Sequence, residues 1–87
     1  MVELADDMGQ RIVVEIFGEN YRFRTDNNPD YVRHLAEMVD QRMRDAAQNT
    51  RTFSGNKIGV LAALQLADEY CKLQKDYEEM ITLFEKK

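Results

Sequence analysis

Three observations place this chain in the α+β class: an N-terminal β-hairpin pattern, one medium amphipathic helix, and one long C-terminal helix forming an intersubunit coiled coil. Residues 11–24 hold a β-branched run, a glycine and a strictly alternating Y-R-F-R segment. The next stretch opens on Asn28-Pro29-Asp30, a helix-start signal. The last third carries an apolar heptad seam at Ala63, Leu66, Tyr70, Leu73, Tyr77, Met80 and Phe84. The expected organisation is a flexible tail over residues 1–10, a globular head over 11–57 and a long helix over 58–87. The head holds the hairpin and the first helix. The long helix serves the head core first and oligomerisation after it.

In the hairpin, Gly18 at the first central position of a two-residue turn, with Glu19 second, predicts a type II′ turn. That register pairs Ile16 with Tyr21, Glu15 with Arg22 and Val14 with Phe23. Ile12, Val14, Ile16, Tyr21 and Phe23 then share one buried face. A lone two-stranded hairpin is marginal in water, so this face must rest on a helix or join strands of another subunit.

The first helix is expected from Pro29 to about Gln48, with Asn28 as N-cap. Val32, Leu35, Val39, Met43 and Ala46 form its apolar stripe, flanked by Tyr31 and Met38. Arg33, Glu37, Gln41, Arg44 and Gln48 lie on the wet side. Asp40 and Arg44 stand at i,i+4 with the acid first, the favourable order for a helical ion pair. A short connection over residues 49–54 forces reversal, and either Ser54 or Asn56 caps the second helix.

The second helix spans about 30 residues and about 45 Å, too long for the head to cover. A partner, in the first instance a second copy, must cover its seam. From residue 58 to 71 it is apolar on several faces (Ile58, Val60, Leu61, Leu64, Ala67, Cys71), which predicts burial against the head and a partner at once. Beyond Leu73 the pattern narrows to Tyr77, Met80 and Phe84, helped by Ile81 and Leu83. Glu69 and Asp76 at g face no complementary charges at e, where Gln74 and Ile81 stand, so helix orientation and dimer versus tetramer stay open.

Eighty-seven residues make one small domain. A net charge of -4 speaks against a general nucleic-acid binder. One cysteine, Cys71, permits no intrachain disulfide and fits a reducing compartment; a packed thiol is expected. The acidic N-terminus lacks the apolar core of a secretory signal, and no apolar run reaches membrane-spanning length. Cytoplasmic location is the default. The single histidine, His34, reads as a surface residue. No nucleophile–base set, phosphate loop or metal-ligand spacing is present in the sequence, so neither an enzyme nor a cofactor is expected.

Between Arg22 and Lys57 there are seven basic residues against five acidic ones, and the rest of the chain is acidic. An ordinary solvated surface accounts for this; the sharper reading is a basic face on the head that docks an acidic partner. On the residues alone, a generic coiled-coil adaptor or chaperone-like module with some other protein partner fits as well.

Three segments resemble one family. V-L-A-A-L-Q-L-A-D-E-Y, residues 60–70, is similar to the signature of the bacterial cell-division protein ZapA family, with Gln65 in place of its usual asparagine. I-V-V-E-I-F-G-E-N-Y-R-F resembles the family's opening hairpin, and P-D-Y-V-R-H-L-A-E-M-V-D-Q-R-M its first helix. The resemblance implies a non-enzymatic regulator that binds FtsZ, the tubulin-like division GTPase, and bundles its protofilaments at midcell. It implies a homodimer able to pair into a tetramer through the C-terminal helices. It also makes Glu19, Arg22 and Arg24 near the hairpin, and Arg51, Asn56 and Lys57 at the entry to the second helix, the FtsZ-contact candidates.

Overall fold

The computed structural model describes residues 2–4, 9–51 and 54–85. In chain order the elements are β1 (Val2–Leu4), β2 (Gln10–Ile16), β3 (Glu19–Thr25), α1 (Pro29–Gln48) and α2 (Gly55–Glu85). β2 and β3 form the antiparallel hairpin, and β1 lies parallel to β3 on its other side, so the sheet order is β1-β3-β2. Residues 2–4 thus join the sheet, pairing Val2 with Tyr21 and Leu4 with Phe23, where a loose tail was expected. Three residues are too few to show a period, and the vacant edge of β3 supplies the pairing groups. Of the rest of that expected tail, residues 1 and 5–8 lie outside the described residues.

The hairpin register differs by two residues from the expected one. Ile16 pairs with Glu19, Val14 with Tyr21 and Ile12 with Phe23. The turn residues are therefore Phe17 and Gly18, both at positive φ (51° and 80°), a type I′ turn. The physical reason is a tertiary bond: the Phe17 N–H donates to Asp40 Oδ1 at 2.7 Å, tying the turn to α1. Because the slip is an even number, every side chain keeps its face. Ile12 and Val14 are buried against Ala36, with Ile16, Tyr21, Phe23 and Val32 packed around them.

Gly9 opens β2 at φ 98°, where a Cβ would overlap the carbonyl oxygen of Thr25. The Thr25 hydroxyl accepts from Asn27 N–H at 3.0 Å and turns the chain toward α1. Asn28 caps α1 as expected, its Oδ1 accepting from Asp30 N–H at 2.9 Å, with Pro29 at the first helical position.

The buried stripe of α1 keeps four of its five expected residues and takes Ala36 in place of Leu35. Ala36 and Ala46 are buried, and Val32, Val39 and Met43 half-buried, whereas Tyr31, Leu35 and Met38 stay exposed. Ala36 faces the sheet because its small side chain lets α1 lie close over β2. Ser54 begins α2: its carbonyl accepts from Ile58 N–H at 3.0 Å and its hydroxyl from Lys57 N–H at 3.4 Å.

The two helices pack along a short stretch. Ile58 and Ala62 are buried and Leu66 half-buried. Arg42 of α1 then bridges to Glu69 of α2 with both terminal guanidinium nitrogens. Beyond that bridge no described residue of another element covers the apolar row of α2. Within the single chain α2 is buried only on its α1 side, and Val60, Leu61, Leu64, Ala67 and Cys71 are all exposed; the faces left open are those expected to meet a partner. A single 20-residue α1 covers only one side of its neighbour. The radius of gyration is 16.6 Å, against about 12 Å for a compact chain of this length.

Candidate interaction surfaces

The largest uncovered feature is the apolar row along α2. Tyr70 is 63% exposed, Leu73 70%, Tyr77 63% and Phe84 73%. Met80 is exposed with them, and Ile81 and Leu83 widen the row. Ala63 and Leu66 begin it within the head. The opposing arm is apolar too. Leu35 and Met38 share the face of α1 that carries Arg42, at i-7 and i-4 from it, and both are exposed. Leu73 stands one turn beyond Glu69 on α2. Past the Arg42–Glu69 bridge, then, both diverging helices present apolar side chains to water.

Next to the row lies a cleft of about 770 Å³ between the hairpin turn and the start of α2. Phe17, Tyr21, Val39, Met43, Val60 and Ala63 supply apolar walls. Glu19 and Asn56 stand on the same cleft. The Tyr21 hydroxyl donates to Glu19 Oε2 at 2.8 Å, which pushes the Tyr21 pKa above the usual tyrosine value; burial and the Glu19 charge push the same way. Gly59 also lines the cleft, and a Cβ there would meet only Met43 Cε at 3.8 Å, an ordinary contact.

The six expected contact residues fall in three places. Glu19 and Asn56 meet at the cleft. Arg22 and Arg24 lie on the opposite face of the sheet, half-buried, beside Arg11, which pairs across the ladder with Arg24. Arg51 lies in the connection between the helices and Lys57 in the first turn of α2, both exposed. The broad basic window also thins. Arg33 bonds Asp30 at 3.0 Å, Arg44 bonds Asp40 at 2.8 Å and Arg42 bonds Glu69. Arg22, Arg24, Arg51 and Lys57 have no ion-pair partner among the described residues, and Arg11, outside the window, joins them on the sheet face. The pairing of Arg11 with Arg24 required the register, so residue order alone did not reveal it. The Asp40–Arg44 pair was visible from its spacing; the Asp40 bond to Phe17 was not.

No group of three or more metal-ligating side chains occurs among the described residues, and no helix there is long and apolar enough to cross a membrane.

Residues 12–86 match the family model described as cell division protein ZapA. The chain belongs to the ZapA family. Its ZapA relatives include that of Bacillus pumilus, 32% identical over 77 residues, covering 88% of this chain and 91% of the relative. Another, from Geobacillus sp. strain WCH70, is 27% identical over 78 residues, covering 90% of each. Among solved structures, a ZapA mutant dimer from Geobacillus stearothermophilus superposes with a TM-score of 0.71 at 28% identity, covering 95% of this chain and 96% of that one. The hairpin, medium helix and long helix of this ZapA-family chain are the architecture of that neighbour. The family is one of cell division proteins.

Proposed function

We propose that this ZapA-family chain is a non-enzymatic cell-division regulator, cytoplasmic and acting at the midcell division site, that binds FtsZ and bundles its protofilaments. It acts as a homodimer able to pair into a tetramer. The observation that carries the reading is the exposed apolar row of α2, from Tyr70 to Phe84, which nothing among the described residues covers. A solved relative is a ZapA mutant dimer, and the continuation of the row into the cleft at Ala63 gives a second copy one unbroken apolar track.

The mechanism is bivalency. Two or four heads on a stiff helical rod engage different protofilaments, so weak single contacts sum to useful avidity. Arg22 and Arg24 on the sheet face, with Glu19, Asn56, Arg51 and Lys57 around the head, are the filament-contact candidates.

The test is sedimentation of GTP-assembled FtsZ with and without the protein. Added protein is expected to co-pellet and to raise the pelleted FtsZ. Reversing Arg22 and Arg24 together to glutamate should weaken pelleting and leave the solution mass unchanged. Pelleting unaffected by the wild-type protein would reject the reading in favour of an adaptor for another partner.

A further inference from the structure

The free edge of β2 carries a second interaction surface. Ile16 and Glu19 flank the two-residue turn as a hydrogen-bonded pair, so ladder bonds recur at Val14–Tyr21, Ile12–Phe23 and Gln10–Thr25. The N–H and C=O groups of Arg11, Val13 and Glu15 therefore point the other way, away from β3. No strand pairs with them among the described residues. A seven-residue edge left open in this way is a ready template for another strand.

Beside the edge runs a groove of about 220 Å³, roofed by Arg33, Ala36 and Glu37 of α1 and floored by Val13, Val14 and Glu15. Val13 is 50% exposed on the outer face of the sheet. The charges along that face are ordered. Arg11 lies at one end, directly across from Arg24, and Glu15 lies at the other. Two arginines opposite each other on one face destabilise a hairpin, and an acid placed next to them offsets that cost.

We infer that the β2 edge accepts an extended segment of a partner protein by antiparallel strand addition. The segment carries an acidic residue opposite Arg11, an aliphatic one opposite Val13 and a basic one opposite Glu15. A second copy's β2 has the matching charges but cannot occupy the site. α1 lies over β2, so two β2 strands at about 4.8 Å spacing would bring two copies of α1 far inside the 8–10 Å at which helices pack. A lone extended segment has no such helix and slides beneath α1 against Ala36.

The probe is the peptide acetyl-Ser-Lys-Val-Val-Val-Asp-Ser-amide, titrated into the isotopically labelled full chain and followed by amide NMR shifts. The amides of Arg11, Val13 and Glu15 should move first and saturably, and gain protection from exchange. Replacing the peptide's aspartate by lysine should weaken binding about fivefold, from the change of one cross-strand pair. Val13→Pro removes an outward N–H and no ladder bond, and should abolish the response. Arg11→Glu relieves the clash with Arg24, so it folds, and should invert the preference toward the lysine peptide. Tyr70→Asp, on the remote α2 row, should bind as wild type does. Shifts confined to α2, no response at millimolar peptide, or Arg11→Glu with unchanged preference would each overturn the inference.

Discussion

Phe17 and Asp40 are joined by a 2.7 Å hydrogen bond from the backbone N–H of one to the carboxylate of the other, 23 residues away. This bond holds an aromatic residue at φ 51°, a conformation disfavoured for a side chain with a Cβ. It sets the turn, the turn sets the register, and the register decides which residues face the cleft and which face the open sheet. Asp40 is itself gripped by Arg44 at 2.8 Å, so one carboxylate couples the hairpin to α1.

Removing that carboxylate should loosen the turn. Asp40→Ala is expected to cost about 1–2 kcal/mol, the range for a hydrogen bond to a charged group at a half-covered site. The bond from Arg44 first, and that from the Phe17 N–H second, hold the Asp40 carboxyl below the usual carboxylate range. The folded state therefore binds this proton more weakly than the unfolded state. The contribution is fully present above about pH 4 and is lost as pH falls through the depressed folded value. Urea midpoints of wild type and Asp40→Ala should differ at pH 7 and converge in acid. Equal midpoints at pH 7 would show that the turn is held by something else.

Gly59 sits in the first turns of α2 with room for a methyl group. Gly59→Ala should raise the stability of the helix by about 1 kcal/mol, read as a higher denaturation midpoint. The same methyl narrows the cleft, so any weakening of self-association in this variant would mark Gly59 as a contact of the partner helix. A lower midpoint at equal association would contradict the open space beside it.

Arg42 and Glu69 are half-exposed, so their bridge is worth about 0.5–1 kcal/mol. Its larger role is geometric, since it marks the point where α2 leaves α1. A double-mutant cycle with Arg42→Ala and Glu69→Ala should return a coupling of that size, falling in high salt. No coupling would mean that helix divergence is set by the Ile58 and Ala62 packing alone.

How legible this protein is from its residues depends on how local each determinant is. The bounds of α1 follow from Asn28, Pro29 and Asp30, which act within one turn. The face of the hairpin followed from alternation, which survives an even register slip. The register itself did not, because it rests on Phe17 reaching Asp40, a long-range bond that no local turn preference reports. In the α1 stripe only Leu35 gave way, to Ala36, for a similar reason: proximity of helix and sheet favours a small side chain over the more apolar leucine. The basic window broke up because Arg33, Arg42 and Arg44 found acids in the folded chain. Alternation did place Arg22 and Arg24 away from the buried face, but the six contact candidates lie in three places because where the hairpin, the connection and the start of α2 come together depends on how the helices pack, which residue order does not report.

The exposed row on α2 is where fold and function meet, and two substitutions within it differ usefully. Leu66 is half-buried against α1, so Leu66→Asp should damage the head and the association together. Tyr70 is 63% exposed in the single chain, so Tyr70→Asp should leave the head folded and only break the assembly.

The most direct measurement is therefore the solution mass of wild type and Tyr70→Asp by light scattering, with circular dichroism to verify the head. Wild type should run at two or four times the 10.2 kDa chain mass, and Tyr70→Asp at the single-chain mass with its secondary structure retained. A monomeric wild type, or a Tyr70→Asp variant that keeps the wild-type mass, would contradict the claim that α2 is covered by another copy of itself.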